Sequence, residues 1–467
     1  MSDAPLPSKA QGPGSAGSTG VHASGPTGAL DNVVLATKSA HPDQYLVAII
    51  DTPRSGSSIP SLDTTVADKP HEAFVHEFLF QDLPPQLNLP AENLYVLIST
   101  KSGTERAETW FKSILKPILH TVGLDEPKYT VITTSSRQSI LDFARTTLIQ
   151  KAAIGTRQTV LLLSGDGGVV DVINGLTGGG ARPESYVRPI ISILPHGTGN
   201  ALFHHLHRKE SPAEDSPSQG PEDLVLGLRT LIRGDHRPLP MFCATFSPGA
   251  CILSDEGQSS TPVSSHTIYG AVVASYGFHA SLVADSDTVE WRKQGDKRFG
   301  MVAQNLLYPS DGTLPHAYKA RVTLYRAGKN DSKDGTSSFN STSLGGDELA
   351  YVLLTMVSNL EKTFTISPAS RPLDGQMRIV HFGPRSGHDI LKIMQMAYDG
   401  GKHVGQGRDL VNYEEVEGMR IDFLEAGVDG KWRQVCIDGL IIRVEEGGWV
   451  EVRKVPEEES VLDVMIG

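Results

Sequence analysis

The sequence predicts an α/β domain built on a mostly parallel sheet, followed by a domain of antiparallel β-structure. Between Asn93 and residue 235, apolar runs of strand length alternate with amphipathic helical segments, which is typical of a parallel sheet covered on both faces. From residue 236 onward, apolar and polar residues alternate with the period of β-strands. No apolar run approaches the roughly 20 residues that a membrane-spanning helix needs.

Length, charge and cysteine content narrow the class of protein. The chain has 467 residues, enough for two domains and tails, and 39% of them are hydrophobic. A formal net charge of −12 argues against nucleic-acid binding, which needs basic side chains to neutralise phosphates. Three cysteines are too few for a disulfide framework and predict reduced thiols in a cytoplasmic protein. Nothing in the sequence predicts an oligomeric state.

The first part of the chain differs in composition from the rest. Residues 1–43 are predicted to be a disordered tail, because they are rich in Gly, Ser, Pro and Ala and hold few bulky apolar side chains. Residues 44–92 form an N-terminal segment without an assigned role, in which Tyr45–Ile50 is a predicted strand. Two polar inserts, residues 208–222 and 327–347, are predicted to be exposed loops.

The predicted α/β domain spans residues 93–235, and the predicted β domain spans residues 236–467. Helices are expected around Trp110–Leu119, where Pro117 interrupts the hydrogen bonding, and at Ser139–Lys151. Strands of the first domain are predicted at Leu94–Ile98, Tyr129–Thr133, Thr159–Leu163 and Pro189–Leu194. Strands of the second are predicted at Arg321–Tyr325, Met377–Phe382, Met419–Leu424 and Trp449–Val452.

One apolar strand runs directly into Ser164-Gly-Asp-Gly-Gly168, after which a helix is predicted. Glycines let the backbone approach a ligand closely, and the N-terminus of a helix favours an anion. Ligands of α/β sheets bind at the carboxyl ends of the strands. Asp166 at this position could act as a base for a substrate hydroxyl or as a metal ligand. The alternative is a plain strand-to-helix turn in which the aspartate caps the helix.

A second glycine motif, Pro195-His-Gly-Thr-Gly-Asn200, follows the next strand and precedes another helix. Thr198 and the neighbouring amides could bind phosphate oxygens. The third glycine of a dinucleotide fingerprint is missing, so a Rossmann-type site is only weakly indicated. No Gly-x-x-x-x-Gly-Lys-Ser/Thr loop occurs, so the chain is not predicted to be a Walker-type kinase.

Together these motifs resemble the family of diacylglycerol kinase catalytic domains, in particular its sphingosine kinase and ceramide kinase branch. Ser164–Gly167 matches the sphingosine kinase form of the central motif, and Pro195–Leu202 matches the second motif. Asp171 and Asn174-Gly-Leu176 occupy the Glu and Asn-Gly-Leu places. The resemblance extends from about residue 93 to about residue 455.

The resemblance implies an ATP- and Mg²⁺-dependent lipid kinase with a nucleotide-binding α/β domain, an antiparallel β-sandwich lipid-binding domain and a catalytic cleft between them. Its implied partner is a lipid at a membrane surface, which a protein without a predicted transmembrane segment would reach from the water side. The lipid would be sphingoid-base-like, ceramide-like or diacylglycerol-like. Mg²⁺ would bridge the ATP phosphates, so no metal-ligand set within the protein is implied.

The resemblance also implies roles for individual residues. Asp166 would take the proton from the lipid hydroxyl. The residues implied to bind the nucleotide are Ser99, Thr100, Lys101, Thr134, Ser164, Gly165, Gly167, Gly168, Asp171, Gly197, Thr198, Gly199, Asn200, Arg292, Arg298, Asp438 and Gly439. The residues implied to bind the lipid are Ser164, Asp166, Gly277, Phe278, Ser281 and Val283.

Four departures from the family pattern bear on activity. Ser99-Thr100 replaces the Asn-Pro of the nucleotide turn, and Leu440 replaces the Glu of an Asp-Gly-Glu motif. Glu105 stands where the family has Gly or a basic residue, and with Ser102 it is predicted to form a capping box. Val283 stands where the family has the acid that faces a sphingoid head group, and Ser281 replaces the neighbouring acid, which favours a neutral lipid; Asp285 and Asp287 are the alternative partners for an amine.

Two other functions stay open. A soluble-substrate kinase such as an NAD kinase also uses a Gly-Asp-Gly turn, but the Gly197-Thr-Gly-Asn200 motif and Gly277-Phe278 argue against it. A lipid-binding scaffold that has lost ATP binding is suggested by the residues at positions 99, 105 and 440. His204, His205 and His207 do not share one helix face, so they are predicted to be surface residues and not a metal site.

Overall fold

A computed structural model of the protein describes residues 30–51, 60–178, 182–208, 221–295, 297–328, 339–407 and 410–467. The chain divides into two compact units, Met1–Gln81 and Asp82–Gly467. Within the described residues, no helix is long and apolar enough to cross a bilayer.

The first unit is an antiparallel sheet packed against one helix. Its strands are β1 (Val33–Lys38), β2 (Gln44–Asp51) and β3 (Ser61–Asp68), in that order across the sheet, and its helix is α1 (Glu72–Phe78). Phe74 and Phe78, one helical turn apart, join Val33, Ala36 and Val47 in a buried cluster. The predicted tail is therefore wrong for residues 33–38, which form β1, while residues 1–29 lie outside the described residues.

The second unit contains the predicted α/β and β halves. Its helices are α2 (Ala107–Trp110), α3 (Lys116–Thr121), α4 (Ser139–Phe143), α5 (Ile149–Ala153), α6 (Asp166–Thr177), α7 (Ala201–Leu206), α8 (Asp223–Arg233), α9 (Phe278–Ser286), α10 (Val289–Arg292), α11 (Lys297–Leu307) and α12 (Gly387–Tyr398). Its strands in the first part of the chain are β4 (Leu94–Ile98), β5 (Thr130–Thr133), β6 (Thr159–Ser164), β7 (Ile190–Pro195), β8 (Asp235–Pro238), β9 (Phe242–Phe246), β10 (Cys251–Ser254), β11 (Ser259–Pro262), β12 (Thr267–Gly270) and β13 (Val273–Gly277).

The remaining strands follow in the last third of the chain. They are β14 (Tyr318–Ala327), β15 (Phe339–Ser343), β16 (Glu348–Leu349), β17 (Tyr351–Thr355), β18 (Asn359–Glu361), β19 (Phe364–Thr365), β20 (Met377–Phe382), β21 (Asn412–Val416), β22 (Gly418–Phe423), β23 (Gln434–Ile437), β24 (Leu440–Arg443), β25 (Trp449–Lys454) and β26 (Asp463–Ile466). The prediction of an exposed loop at residues 327–347 is wrong for β15, which pairs with β14. Residues 329–338 and 209–220 of the two inserts lie outside the described part of the chain.

Two helices of the α/β half contain π-helical turns. Phe111–Leu115 joins α2 to α3, and Ala144–Leu148 joins α4 to α5. Pro117 follows the first of these turns and stands in the first turn of α3. A proline has no N–H to donate to the preceding turn, and a wider turn directly before it changes the local hydrogen bonding without ending the helix.

The sheet of the α/β half has the strand order β5-β4-β6-β7-β26-β8. Strands β4 to β7 are parallel to one another, β26 is parallel to β7, and β8 is antiparallel to β26. The predicted domain boundary at residue 236 therefore needs a correction. The last strand of the chain returns to the α/β sheet, so the β half is an insertion between β8 and β26.

The β half contains two antiparallel sheets. One has the order β11-β10-β24-β23-β13-β17-β20-β21, and the other runs β12-β9-β25-β22-β14-β15, with β16 paired to β14. Strands of both sheets contribute to one buried apolar cluster. In β17, Val352 and Leu354 belong to this cluster, whereas Tyr351 and Leu353 face a second cluster shared with the α/β half.

Candidate active site

Four loops meet at the carboxyl ends of the parallel strands β5, β4, β6 and β7. Thr134 follows β5, and its Oγ1 accepts a hydrogen bond from the Thr100 N–H at 3.0 Å. In the loop after β4, the Ser102 hydroxyl bonds Ser99 Oγ at 2.7 Å and lies 3.2 Å from Ser164 Oγ at the end of β6. The sheet therefore brings together predicted nucleotide residues that are distant in sequence, at the edge where α/β sheets bind ligands.

Glycines allow these loops to touch through their backbones. Gly103 has a φ of +51°, and a Cβ built on it would lie 2.3 Å from the His196 carbonyl oxygen. A Cβ on Gly168 would lie 2.5 Å from Ser164 Oγ, so this glycine is needed for packing inside the protein. Gly167 is different, because a Cβ there meets no atom within 4 Å. Its surface is open to a ligand.

The Gly197–Asn200 loop is closed by its own asparagine. The Gly197 N–H donates to Asn200 Oδ1 at 2.9 Å, and Asn200 Nδ2 donates to the Gly197 carbonyl at 3.0 Å. Asn200 has a left-handed backbone with φ of 51°, which asparagine tolerates better than most residues. Thr198 at the tip is exposed. A Cβ on Gly199 would approach the Leu360 carbonyl to 3.1 Å, so this loop borders the β18–β19 hairpin.

Asp166 is the first residue of α6, but its carboxylate binds the start of another helix. Oδ2 accepts a hydrogen bond from the Ala201 N–H at 2.8 Å, and Oδ1 accepts one from the Leu202 N–H at 2.9 Å. Burial raises the pKa of Asp166, and the two amides and nearby His204 oppose that rise. The alternative that Asp166 caps its own helix is wrong, since it caps α7. A carboxylate has about four acceptor positions, so some remain for a substrate.

Two further side chains of α6 face different surroundings. Burial raises the pKa of Asp171 to about 7, against the opposing charge of Arg137. Asn174 Nδ2 donates to the Tyr269 carbonyl of β12 at 2.8 Å, which links the helix to the β half. A Cβ on the following Gly175 would lie 2.4 Å from the Ala144 Cβ, so glycine is required where α6 crosses the adjoining helix.

Asp438 lies between β23 and β24 and is buried. Its carboxylate accepts hydrogen bonds from three consecutive main-chain N–H groups, those of Ala271, Val272 and Val273. Burial raises its pKa to about 7; these bonds oppose the rise, and the charge of Asp166 adds to it. Asp438, which was predicted to bind the nucleotide, therefore fixes the main chain between β12 and β13. Its charge also interacts with that of Asp166. Gly439, with a φ of +88°, is exposed beside it.

The residues predicted to bind lipid lie at the start of α9. Gly277 has a φ of +86°, and a Cβ there would lie 2.6 Å from the Ala350 carbonyl. Phe278 and Ser281 are buried, and the Tyr318 hydroxyl donates to Ser281 Oγ at 2.8 Å. Val283 packs beside an apolar cluster that includes Cys436. Ser281 therefore forms a neutral pair with a tyrosine, and Val283, at the position of the acid that would face a lipid amine, has an apolar side chain in apolar surroundings.

Two cavities flank the helices that follow α9. A groove of 760 Å³ lies between α11 and the β18–β19 hairpin, with Lys297, Met301, Glu361 and Tyr398 among its lining residues. A smaller cavity of 380 Å³ lies between α9 and α11 and is lined by Glu256, Ala284, Asp285, Val302 and Leu306. Trp291 lines both cavities.

Of the two predicted arginines, Arg298 lies on α11 and Arg292 on α10. The Arg298 guanidinium lies 4.8 Å from the Phe299 ring centroid on α11. The side chain of Arg292 lies outside the described residues, although its backbone belongs to α10. Lys101 is exposed and pairs with Glu105 at 3.4 Å. The predicted capping box is wrong, because Ser102 Oγ bonds Ser99 and Ser164, and Arg106 is the N-cap of α2.

Two histidines of α7, His204 and His205, and His207 directly after it have separate partners. His205 is buried and lies 3.1 Å from Ser358 Oγ, and His207 Nε2 lies 2.8 Å from Thr230 Oγ1. His204 lies 4.0 Å from Asp223, and burial lowers its pKa, opposed by the charges of Asp223 and Asp166. The prediction of surface residues is wrong for His205. The sequence around these histidines did not indicate their partners, because Ser358, Thr230 and Asp223 lie in distant segments of the chain.

Comparisons with known proteins agree with the motifs. Residues 93–241 match the family described as the diacylglycerol kinase catalytic domain. Sphingosine kinase 1 of Homo sapiens is 21% identical over 349 residues, which are 70% of this chain and 81% of that protein. Sphingosine kinase 1 of Caenorhabditis elegans is 33% identical over 114 residues, which are 24% of this chain and 22% of that protein. A crystal structure of a diacylglycerol kinase from Bacillus anthracis str. Sterne covers 80% of this chain and 97% of its own, at 14% identity and a TM-score of 0.45.

Proposed function

We propose that this chain, whose residues 93–241 match the diacylglycerol kinase catalytic domain family, is an ATP-dependent lipid kinase. It would transfer the γ-phosphoryl group of ATP to a hydroxyl of a sphingoid-base-like, ceramide-like or diacylglycerol-like lipid. The observation that carries the proposal is the position of Asp166. Its carboxylate binds the helix that follows the second glycine motif, and its charge raises the pKa of Asp438 in the β half.

The four loops offer hydroxyl and main-chain N–H groups that could bind the phosphates of a nucleoside triphosphate. The hydroxyls of Ser99, Thr100 and Thr134 cluster there, and the N-terminus of α6 favours an anion. Gly167 leaves open space in front of that N-terminus, and Thr198 is exposed at the tip of the next loop. We assign these residues to the phosphates of ATP.

Asp166 would act as the general base. One of its unused lone pairs would accept the proton of the lipid hydroxyl while that oxygen bonds to the γ-phosphorus and the bond to the β-phosphate oxygen breaks, releasing ADP. The raised pKa suits this role, since it makes the carboxylate a stronger base. The α7 amides would hold the carboxylate in place during the transfer.

Mg²⁺ would neutralise phosphate charge when it is bound together with the nucleotide. Within the described residues, no group of three or more His, Cys, Asp or Glu side chains could hold a metal ion. In phosphoryl-transfer sites Mg²⁺ is held mainly by phosphate oxygens and water, with one or two protein carboxylates. Asp171 on α6 is the candidate protein ligand.

The cavities beside α11 are the candidate lipid site. Met301, Val302 and Leu306 supply apolar surface, and Trp291 lies between the two cavities. The Ser281–Tyr318 hydrogen bond favours a neutral lipid, because neither partner carries a charge. Glu256 and Asp285 line the smaller cavity and are the candidate partners for a lipid amine.

The test is a radiolabelled-ATP assay with sphingosine, ceramide or diacylglycerol in mixed micelles, and with NAD as a soluble acceptor. We expect label in a lipid product and none in NAD. Asp166→Asn is the control for contaminating kinases. Transfer to NAD alone would establish the soluble-substrate alternative, whereas absence of Mg·ATP binding by calorimetry would establish a non-catalytic scaffold.

A further inference from the structure

Helix α6, which begins at Asp166, is hydrogen-bonded to the β half by the side chain of Asn174. Asn174 lies about two turns after Asp166 on this helix. Its Nδ2 donates to the Tyr269 carbonyl at 2.8 Å, and its Oδ1 accepts a hydrogen bond from the Tyr269 N–H at 3.0 Å. One side-chain amide therefore pairs with both main-chain groups of one residue in β12.

Tyr269 needs such a partner because β12 is at the edge of its sheet. Edge strands have N–H and C=O groups that no neighbouring strand satisfies. A primary amide offers one acceptor and two donors, so it can pair with Tyr269 as another strand would. The second Nδ2 hydrogen donates to the Val170 carbonyl at 2.8 Å, one turn earlier in α6. That bond holds the Asn174 side chain in the orientation that reaches β12.

The residues directly after Tyr269 are held from the other side. Asp438 accepts hydrogen bonds from the N–H groups of Ala271 and Val273 at 2.6 and 2.5 Å. The chain then continues through β13 to Gly277, where α9 begins. The segment from Tyr269 to Val273 is thus fixed between α6 and the β23–β24 turn. It leads without interruption to the helix that borders the candidate lipid cavity.

We infer that Asn174 is a positioning residue that holds the acceptor-binding β half in register with Asp166. The next two residues in the sequence do not share this role. Gly175 faces the adjoining helix, with Ala144 as the nearest contact of a Cβ there, and Leu176 is buried in the apolar core. This role presupposes the lipid kinase activity proposed above.

The role predicts that two phosphoryl acceptors respond differently. Transfer to a lipid requires the β half to present the acceptor hydroxyl to Asp166, whereas hydrolysis of ATP by water does not. In Asn174→Leu, which keeps the side-chain size but removes all three hydrogen bonds, we expect kcat for lipid phosphorylation to fall at least tenfold. The Kd for Mg·ATP and the rate of ATP hydrolysis without lipid should stay within about twofold of wild type. Asn174→Ser is a second variant, for use if the leucine protein does not fold.

Thr177→Val is the matched control. Thr177 lies one turn further along α6, and its hydroxyl bonds only carbonyls of the same helix, those of Ile173 and Asn174. This variant should change neither rate by more than twofold. A parallel loss of lipid phosphorylation and ATP hydrolysis in Asn174→Leu would overturn the positioning role.

Hydrogen exchange tests the same inference without any activity. In Asn174→Leu, amide exchange should accelerate at Tyr269 and also through residues 271–286, which contain β13 and α9. Acceleration confined to Tyr269 would show that Asn174 only satisfies an edge strand, and would reject the inference. A wild-type protein that transfers no phosphate to any lipid would reject the proposed function instead, and the exchange result would still decide whether Asn174 fixes the β half.

Discussion

Gly165 and Gly197 lie with their backbones in direct contact. A Cβ built on Gly165 would come within 2.7 Å of the Gly197 Cα, and one built on Gly197 would come within 2.5 Å of the Gly165 Cα. Gly165 has an extended backbone with φ of −93°, so glycine is needed there for space and not for an unusual conformation. This contact joins the loops after β6 and β7, the two loops that carry the glycine motifs.

Substitutions in these loops should therefore separate folding from ligand binding. Gly197→Ala would force the two backbones apart, and we expect it to lower the free energy of unfolding by roughly 1–3 kcal/mol. Gly167→Val should leave the melting temperature near that of wild type but abolish ATP binding, because its side chain would fill the open space in front of α6. Thermal melts and calorimetric ATP titrations measure both effects. Unchanged ATP affinity in Gly167→Val would remove this loop from the site.

Gly199→Val tests the second loop in the same way. A Cβ at Gly199 would stand 3.1 Å from the Leu360 carbonyl, so a small shift of the hairpin could accept it. We expect loss of ATP binding with at most a modest decrease of the melting temperature. ATP binding equal to that of wild type would exclude the Gly197–Asn200 loop from the phosphate site.

Asp166→Asn should separate chemistry from binding. An amide cannot accept the substrate proton, so we expect turnover to fall by roughly 10²–10⁴-fold, while ATP affinity changes much less. The amide also loses one of the two bonds to α7, which should lower the free energy of unfolding by about 1 kcal/mol. Lipid phosphorylation measured beside a thermal melt distinguishes the two effects. Turnover within threefold of wild type would end the assignment of the base.

The raised pKa of Asp166 predicts the acid limb of the pH–rate profile. The base must be ionised, so kcat/KM should fall as the pH decreases through a pKa above the ordinary 3.8 of an aspartate. Replacement of His204 by Gln removes a charge that opposes the rise, and should move this limb to higher pH. His207→Gln is the control, since His207 bonds Phe203 and Thr230. An acid limb at the same pH in all three proteins would show that another group titrates.

Asp171 should lower stability at neutral pH. Its pKa is about 7 in the folded protein and about 3.9 in an unfolded chain. Between these values the folded state binds more protons than the unfolded state, so this group makes stability decrease as the pH rises from 4 to 7. Asp171→Asn should melt at a higher temperature than wild type at pH 8, with no difference near pH 4, and should bind Mg·ATP more weakly. The exposed Asp142→Asn is the control, and an equal gain in both variants at pH 8 would contradict the burial of Asp171.

Truncation should be tolerated only up to β1. Deletion of residues 1–29 is expected to keep kinase activity, because their composition offers little apolar surface to bury. Deletion of residues 1–41 removes β1, whose Val33 and Ala36 belong to the buried cluster of the first unit, and should unfold that unit. Limited proteolysis of the two truncated proteins checks this. Protection of residues 44–81 in the shorter protein would show that β1 is dispensable.

Local pattern was enough to predict several parts of the molecule. β4 has the bounds that were predicted, because five consecutive buried apolar residues between polar ones mark a central strand of a parallel sheet. The positions of the Ser164–Gly168 and Pro195–Asn200 motifs also followed from the sequence, because a glycine run directly after such a strand limits where the strand can end. These features depend on residues that are neighbours in the chain.

The partners of the site residues required the tertiary structure. Asp166 binds α7 and Asn174 binds β12 across 35 and 95 residues of sequence, and β26 joins the α/β sheet after the whole β half. The sequence around a carboxylate or a side-chain amide does not identify its hydrogen-bond partner. Any nearby N–H group can donate to either, and any nearby C=O group can accept from the amide. The periodicity of the sequence determined which elements form, but the packing of distant elements decided which polar groups meet.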